Sequence, residues 1–340
     1  MLRFVAATLV LISHAYYLSW GEGATLDAEP LRWLTRGAQS LGDLGLAIFF
    51  ILSGFLVTRS FEQRRTWRRF LWARSLRIFP ALIVVVILCA LVLGPLVTSL
   101  FLGDYFNVRQ TYVYLSNVFL VWPTYTLPGV FLGNAYPEAV NGSLWTLRYE
   151  FGFYLVVAAT GLLVGLRTRR WILVVAVLLA FSLAATTLPS SLMGPLSLMQ
   201  TGARLFTWFG AGMLFFLFRE SVPLRRSLAV VSALILVLAA RTGGYGVLFP
   251  FFGSYLVIYL AYSRDLRVWG FGKYGDFSYG MYLYAFPIQQ TVVGAFGGVM
   301  AVWMNLLFSI PLTLVCAMAS WHLVEKYSLR LKDVSGRGAP

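Results

Sequence analysis

Long, unbroken apolar runs separated by short polar clusters make up most of this chain. Ten runs approach the ~20 residues that a helix needs to cross a bilayer. They cover residues 2–20, 42–60, 76–98, 143–165, 171–188, 202–218, 227–241, 246–262, 276–296 and 299–325. Continuous runs of this kind mark transmembrane helices, not the alternating strands of a barrel. The pattern predicts an all-α, polytopic membrane protein with about ten transmembrane helices. Residues 1–327 form one transmembrane domain and 328–340 a cytoplasmic tail. The first run is long for the apolar part of a signal peptide and carries His14 near its middle, so it reads as a retained helix. Between Thr98 and Gly142 the apolar stretch from Tyr112 to Trp122 is too short to cross, which predicts a re-entrant or surface-lying element. No tandem repeat is visible.

Composition agrees with this pattern. Of 340 residues, 59% are hydrophobic and only 12% charged, against about 25% in a soluble domain. The net charge of +14 raises the question of nucleic acid, but the cations are gathered in the short segments between runs, as membrane topology requires. With the N-terminus in the cytoplasm, 21 of the 27 lysines and arginines fall on the cytoplasmic side. That asymmetry predicts an N-in, C-in protein, with lipid and not nucleic acid as its surroundings. Glu22, Asp27, Glu29, Asp43, Asp104 and Glu138 then lie on the outer side. Cys89 and Cys316 both fall inside apolar runs, and His14 and His322 are the only histidines. No metal site is expected.

The first candidate chemistry is the pair Arg3 and His14. Eleven helical steps of about 100° return a side chain to within ~20° of the same face, about 16 Å further along. Arg3 therefore stands at the inner surface above a histidine near mid-bilayer, where an ionisable group is costly and usually functional. The imidazole titrates near neutrality and can take and return a proton. A histidine bonded only to a neighbouring backbone is the structural alternative.

The loop expected between spans two and three, TRSFEQRRTWRRFLWARSLRIFP, 58–80, holds seven arginines and no lysine. Topology asks for cations, but arginine adds a planar fork that grips phosphate. Arg74 and Arg77 share a helix face. With Pro80 in the first turn of the third span, a helix N-terminus would strengthen anion binding. Lipid headgroup binding explains the same segment. Span four opens with NGSLWTLRYEFGFY. Its Glu150 lies ~10 Å in from the outer surface, close to the depth of His14, so the two can pair if spans one and four are neighbours. A salt bridge from Glu150 to Arg148 or Arg204 is the alternative. Tyr154 follows one turn later, and Ser53-Gly54 in FFILSGFL permits close helix packing. Gly161 and Gly165 suit the same role. Asn141-Gly142-Ser143 matches a glycosylation sequon.

Taken together and in order, Arg3 with His14, FFILSGFL at 49–56, RSLRIFP at 74–80, SLWTLRYEFGFY at 143–154, SYGMYLYAFP at 278–287 and the closing HLVEKY at 322–327 resemble the membrane acyltransferase-3 family. The resemblance covers the whole chain. It implies transfer of an acyl group, commonly acetyl, from cytoplasmic acyl-coenzyme A to a hydroxyl of a glycan or lipid-linked sugar. By the same resemblance His14 is the essential histidine and Glu150 the recurrent acidic residue of span four. Arg3, Arg74 and Arg77 hold the acyl-CoA, and Ser53 and Tyr154 lend substrate or structural support. His14 would act as a base or carry the acyl group itself. The chain departs from the family at Ala285, where many members have histidine, and it lacks both the acidic residue that usually precedes the arginine and the fused extracytoplasmic domain of some members. A proton-coupled glycan or lipid transporter, with His14 and Glu150 as the coupling pair, is the rival reading.

Overall fold

The computed structural model describes residues 1–21, 28–64, 66–164, 169–188, 197–263 and 272–332. The expectations for Glu22, Asp27, Arg65, Gly165, Arg167, Arg264, Arg267, Arg337 and the end of the tail lie outside these residues. Among the described residues, ten helices of seventeen residues or more organise the fold. They are α1 (Leu2–Trp20), α2 (Leu41–Arg64), α3 (Trp67–Leu88), α4 (Trp145–Val164), α5 (Arg169–Thr187), α6 (Ser197–Leu217), α7 (Arg226–Thr242), α8 (Tyr245–Tyr262), α9 (Ser278–Ala295) and α10 (Val302–Ser320). Each overlaps one apolar run. No strand forms among the described residues, only isolated bridges at Thr98–Val130 and Thr126–Ala139. Among the described residues, seven helical spans are long and apolar enough to cross a membrane, built on α1, α2, α3, α4, α5, α8 and α10. The remaining three are shorter or carry more polar residues. Among them α9 is buried along nearly its whole length, so it needs no lipid-compatible surface.

The arginine-rich segment is helical, not a loop. Arg59 and Arg64 end α2, and α3 starts at Trp67. This corrects the expected start of the third span. Pro80 sits inside α3, not in its first turn, and Arg74 and Arg77 lie about two turns in. The helix N-terminus is therefore too far away to act on an anion held there, since that field fades within the first turn. A proline inside such a helix is tolerated where neighbouring groups in the bundle re-satisfy the freed backbone.

Two glycines set the tightest crossing. A Cβ on Gly54 of α2 would land on the backbone carbonyl of Phe209 in α6, and one on Gly212 would land on that of Ile51. Backbone cannot step aside as a side chain can. Gly54→Ala is expected to cost roughly 1–3 kcal/mol of stability, read as a lower thermal unfolding midpoint in detergent. Around this pair α1 and α6 flank α2, α5 packs on α6, and α9 joins α1 to α10. On α4, Gly161 faces the Phe61 ring.

The segment after α3 lies along the surface. Tyr105 is fully buried and donates to the Ala90 carbonyl at 2.7 Å, whereas Tyr112, Phe119, Val121 and Trp122 are exposed. Asn141 of the sequon is buried. It donates to the Leu283 carbonyl at 2.9 Å and accepts from the Ser143 amide, so it starts α4 and ties it to α9.

At the opposite end from Arg3, Glu29 caps α2. Its Oε1 accepts the Leu41 amide at 2.7 Å, and its Oε2 is buried without a partner. Burial raises the carboxyl pKa, more than hydrogen bonds from Ser13 and the Leu41 amide lower it. The folded group thus keeps its proton to higher pH than the unfolded one, and stability falls as pH rises from about 4.3 through the folded pKa. Glu29→Gln keeps the accepting oxygen and removes the charge. It is expected to raise the unfolding midpoint at pH 8 and to leave it unchanged below pH ~4.

Candidate active site

Arg3, Arg77 and one residue that sequence reasoning passed over, Asp276, meet at one end of the bundle. Arg77 Nη2 lies 2.5 Å and Arg3 Nη1 3.8 Å from Asp276 Oδ2. The other carboxylate oxygen accepts from the Ser278 amide at 3.3 Å and its hydroxyl at 2.5 Å. Asp276 therefore braces Ser278 at the start of α9 and links the start of α1 to the middle of α3. Burial pushes its carboxyl up, but the charges of Arg77 and Arg3 and the bonds from Ser278 and Arg77 hold it well below the usual carboxylate range. It is a fixed anion at neutral pH. Its signal in the sequence was slight: an aspartate two residues before a serine that begins an apolar run.

Arg74 points elsewhere. Its guanidinium lies 6.0 Å from the Tyr154 ring centre and 3.5 Å from Ser60 Oγ, and its Nε is buried without a partner. Tyr154 in turn donates its hydroxyl to Glu150. A cavity of about 40 Å³, room for a few water molecules, is lined by Arg3, Arg77, Ser53, Thr146, Glu150 and Tyr282 among others. Ser53 Oγ is buried there without a hydrogen-bond partner. Tyr282 donates to the Ser143 carbonyl at 2.6 Å, which leaves Thr146, at 2.5 Å, as donor to the Tyr282 oxygen. On the other side of Arg3 a larger cavity, about 600 Å³, is lined by Met1, Leu52, Leu56, Tyr262, Ser263 and Asp276 among others.

The expected contact between His14 and Glu150 does not form in this structure. Helix α1 packs mainly on α2, α9 and α10. Its histidine lies edge-on to Phe286 of α9, with ring centres 5.2 Å apart, and Nδ1 is buried and unpartnered. Nor does Glu150 pair with the arginines considered for it. Arg148 lies over Tyr149, and Arg204 reaches Asp43 at 3.4 Å. The depth estimate could not say which helices are neighbours. The shared face of Arg3 and His14 is real, however, and it looks at α9: Arg3 meets Asp276 just before that helix, and His14 meets Phe286. Phe286 follows Tyr282 by one turn, so the face of α9 that lines the small cavity leads on to His14.

A family model described as an acyltransferase domain matches residues 1–322. The chain belongs to the acyltransferase-3 family. It is 30% identical over 334 residues to the O-acetyl transferase of Shigella phage Sf6, covering 95% of this chain and 93% of that protein. It is also 30% identical over 358 residues to nodulation protein 10 of Rhizobium leguminosarum bv. viciae, covering 98% and 93%. No solved structure matches. As a member of this acyltransferase family the protein is an enzyme built on membrane-type helices. Among the described residues no cluster of His, Cys, Asp and Glu has the makings of a metal site.

Proposed function

We propose that this acyltransferase takes an acyl group, acetyl in the first instance, from cytoplasmic acyl-coenzyme A and passes it to a hydroxyl of a glycan or lipid-linked sugar at the cell inner membrane. The observation that carries the reading is the convergence of Arg3 and Arg77 on one carboxylate, between a cavity of ligand size and a small one lined by Ser53, Glu150 and Tyr282. Guanidinium groups suit the coenzyme's phosphates. Arg3 keeps a buried, unpartnered Nε, so the cluster has a donor to spare, and Arg74 keeps another beside Tyr154. Asp276 holds Arg77 in place, and an incoming phosphate competes with that carboxylate for its guanidinium.

In this reading the acceptor oxygen attacks the thioester carbonyl. A C–O bond forms and the C–S bond breaks. The hydroxyl proton passes to the His14 imidazole and then to the departing thiolate, which leaves as coenzyme A thiol. Tyr154 keeps Glu150 oriented at the small cavity, and Ser53 lines the same wall. His14 and Glu150 act at different places instead of as a bonded pair. Membranes containing the protein, incubated with [14C]acetyl-coenzyme A and the producing cell's surface glycans, test the proposal. Label in the glycan supports it. Proton-driven glycan movement that needs no coenzyme A would replace it with the transport reading.

A further inference from the structure

A third cavity, of about 270 Å³, opens at the end of the bundle away from the arginine cluster. It is formed where α2 and α8 begin and α5 ends. Asp43 lies in the first turn of α2, and Leu56, which lines the coenzyme-side cavity, is thirteen residues or ~20 Å further along. We propose that this cavity is a binding subsite for a neutral saccharide, the acceptor's own sugar ring. The inference rests on the acyl-transfer reading above.

Four observations support it. Gln39 lines the cavity, is 3% exposed, and has a buried Oε1 without any hydrogen-bond partner. A buried amide oxygen left open is costly unless a ligand or water donates to it. Next, Asp43 and Arg204 pair across the cavity at 3.4 Å. Their charges cancel locally, so an anion meets the carboxylate and a cation meets the guanidinium. A hydroxyl both donates and accepts and meets no such opposition. Third, Tyr245, Trp208 and Phe249 line the same space, and the Tyr245 and Phe249 rings stack with centres 5.4 Å apart. An aromatic face is apolar with a polar rim, which suits the C–H face of a sugar. A volume just below the ~300 Å³ of the smallest drug-sized pockets fits one or two rings. Last, the cavity is next to the histidine helix. Gly42 of α2 packs on Ser13 of α1, so Asp43 and His14 each neighbour one half of that contact in the chain.

The test is calorimetric titration of the full-length protein in detergent. The probes are oligosaccharide fragments released from the producing cell's surface glycans, glycerol phosphate and phosphoethanolamine as headgroup analogues, and coenzyme A. Neutral fragments are expected to bind, with at least tenfold weaker binding in Gln39→Ala and in Tyr245→Ala. Coenzyme A affinity and the unfolding midpoint should stay as in the wild type. The proposal is overturned by fragments that fail to bind, by binding unchanged in both variants, or by binding of the headgroup analogues alone. If a variant is misfolded, as its unfolding curve shows, Tyr245→Phe against wild type decides, because the ring face is kept and binding should persist. Loss of coenzyme A binding in the wild type, with fragment binding intact, would sink the acyl-transfer reading and leave the saccharide site standing.

Discussion

His14→Ala is expected to lower acyl transfer by roughly 10²–10⁴-fold, the usual contribution of a positioned general base, while coenzyme A still binds with wild-type affinity. The imidazole stands about three helical turns from Arg3 on the face that α1 turns to α9, so removing it leaves the arginine cluster untouched. The ring packs edge-on to Phe286 and its Nδ1 is buried without a hydrogen-bond partner, so no structural bond is lost at that atom. His14→Gln is the companion variant. It fills the space and offers hydrogen bonds but cannot take a proton at neutral pH. Transfer of labelled acetyl at the wild-type rate by either variant would show that the proton goes elsewhere.

Arg77→Lys is expected to raise KM for acyl-coenzyme A by roughly 10- to 100-fold, the equivalent of one charge-assisted hydrogen bond of about 1.5–3 kcal/mol, with little change in kcat. Lysine keeps the positive charge near Asp276 but loses the planar fork that can hold the carboxylate and a phosphate at once. The distinction matters because a basic segment selected only for topology or for lipid headgroups would accept lysine freely. The measurement is initial rate against acyl-coenzyme A concentration at saturating acceptor. Equal KM values in the two proteins would remove Arg77 from the coenzyme site. Arg77→Lys also shortens the reach to Asp276, so its unfolding midpoint is compared with that of Asp276→Asn. A fall shared by both would identify a structural tie, and a KM effect confined to Arg77→Lys identifies binding.

Much of the architecture was legible because a bilayer is an unforgiving solvent. Backbone groups must bond within the helix, so each apolar run declares itself as a helix without knowledge of its neighbours. Boundaries were harder. The arginines from 58 to 80 read as a loop because charge dilutes hydropathy, yet helices α2 and α3 run through almost all of it. Long arginine stems carry the charge away from a helical backbone, so the segment stays helical outside the lipid. Arg3 and His14 were placed on one face by the helical period alone, and that survives because period is local. Asp276 was passed over because its importance comes from Arg3 and Arg77, which arrive from positions far away in the chain.

By itself, then, the sequence determined that this protein is a bundle of apolar helices and that a histidine shares a face with the first arginine. These follow from rules that act within about one helix. Tertiary structure alone decided which helices touch: that α1 leans on α9 and not α4, that Glu150 takes a tyrosine hydroxyl and leaves the imidazole to Phe286, and that Arg77 is held by Asp276. Depth in a membrane can be counted along a chain, but the direction in which a helix faces its neighbours depends on how small residues such as Gly54 and Gly212 let backbones approach.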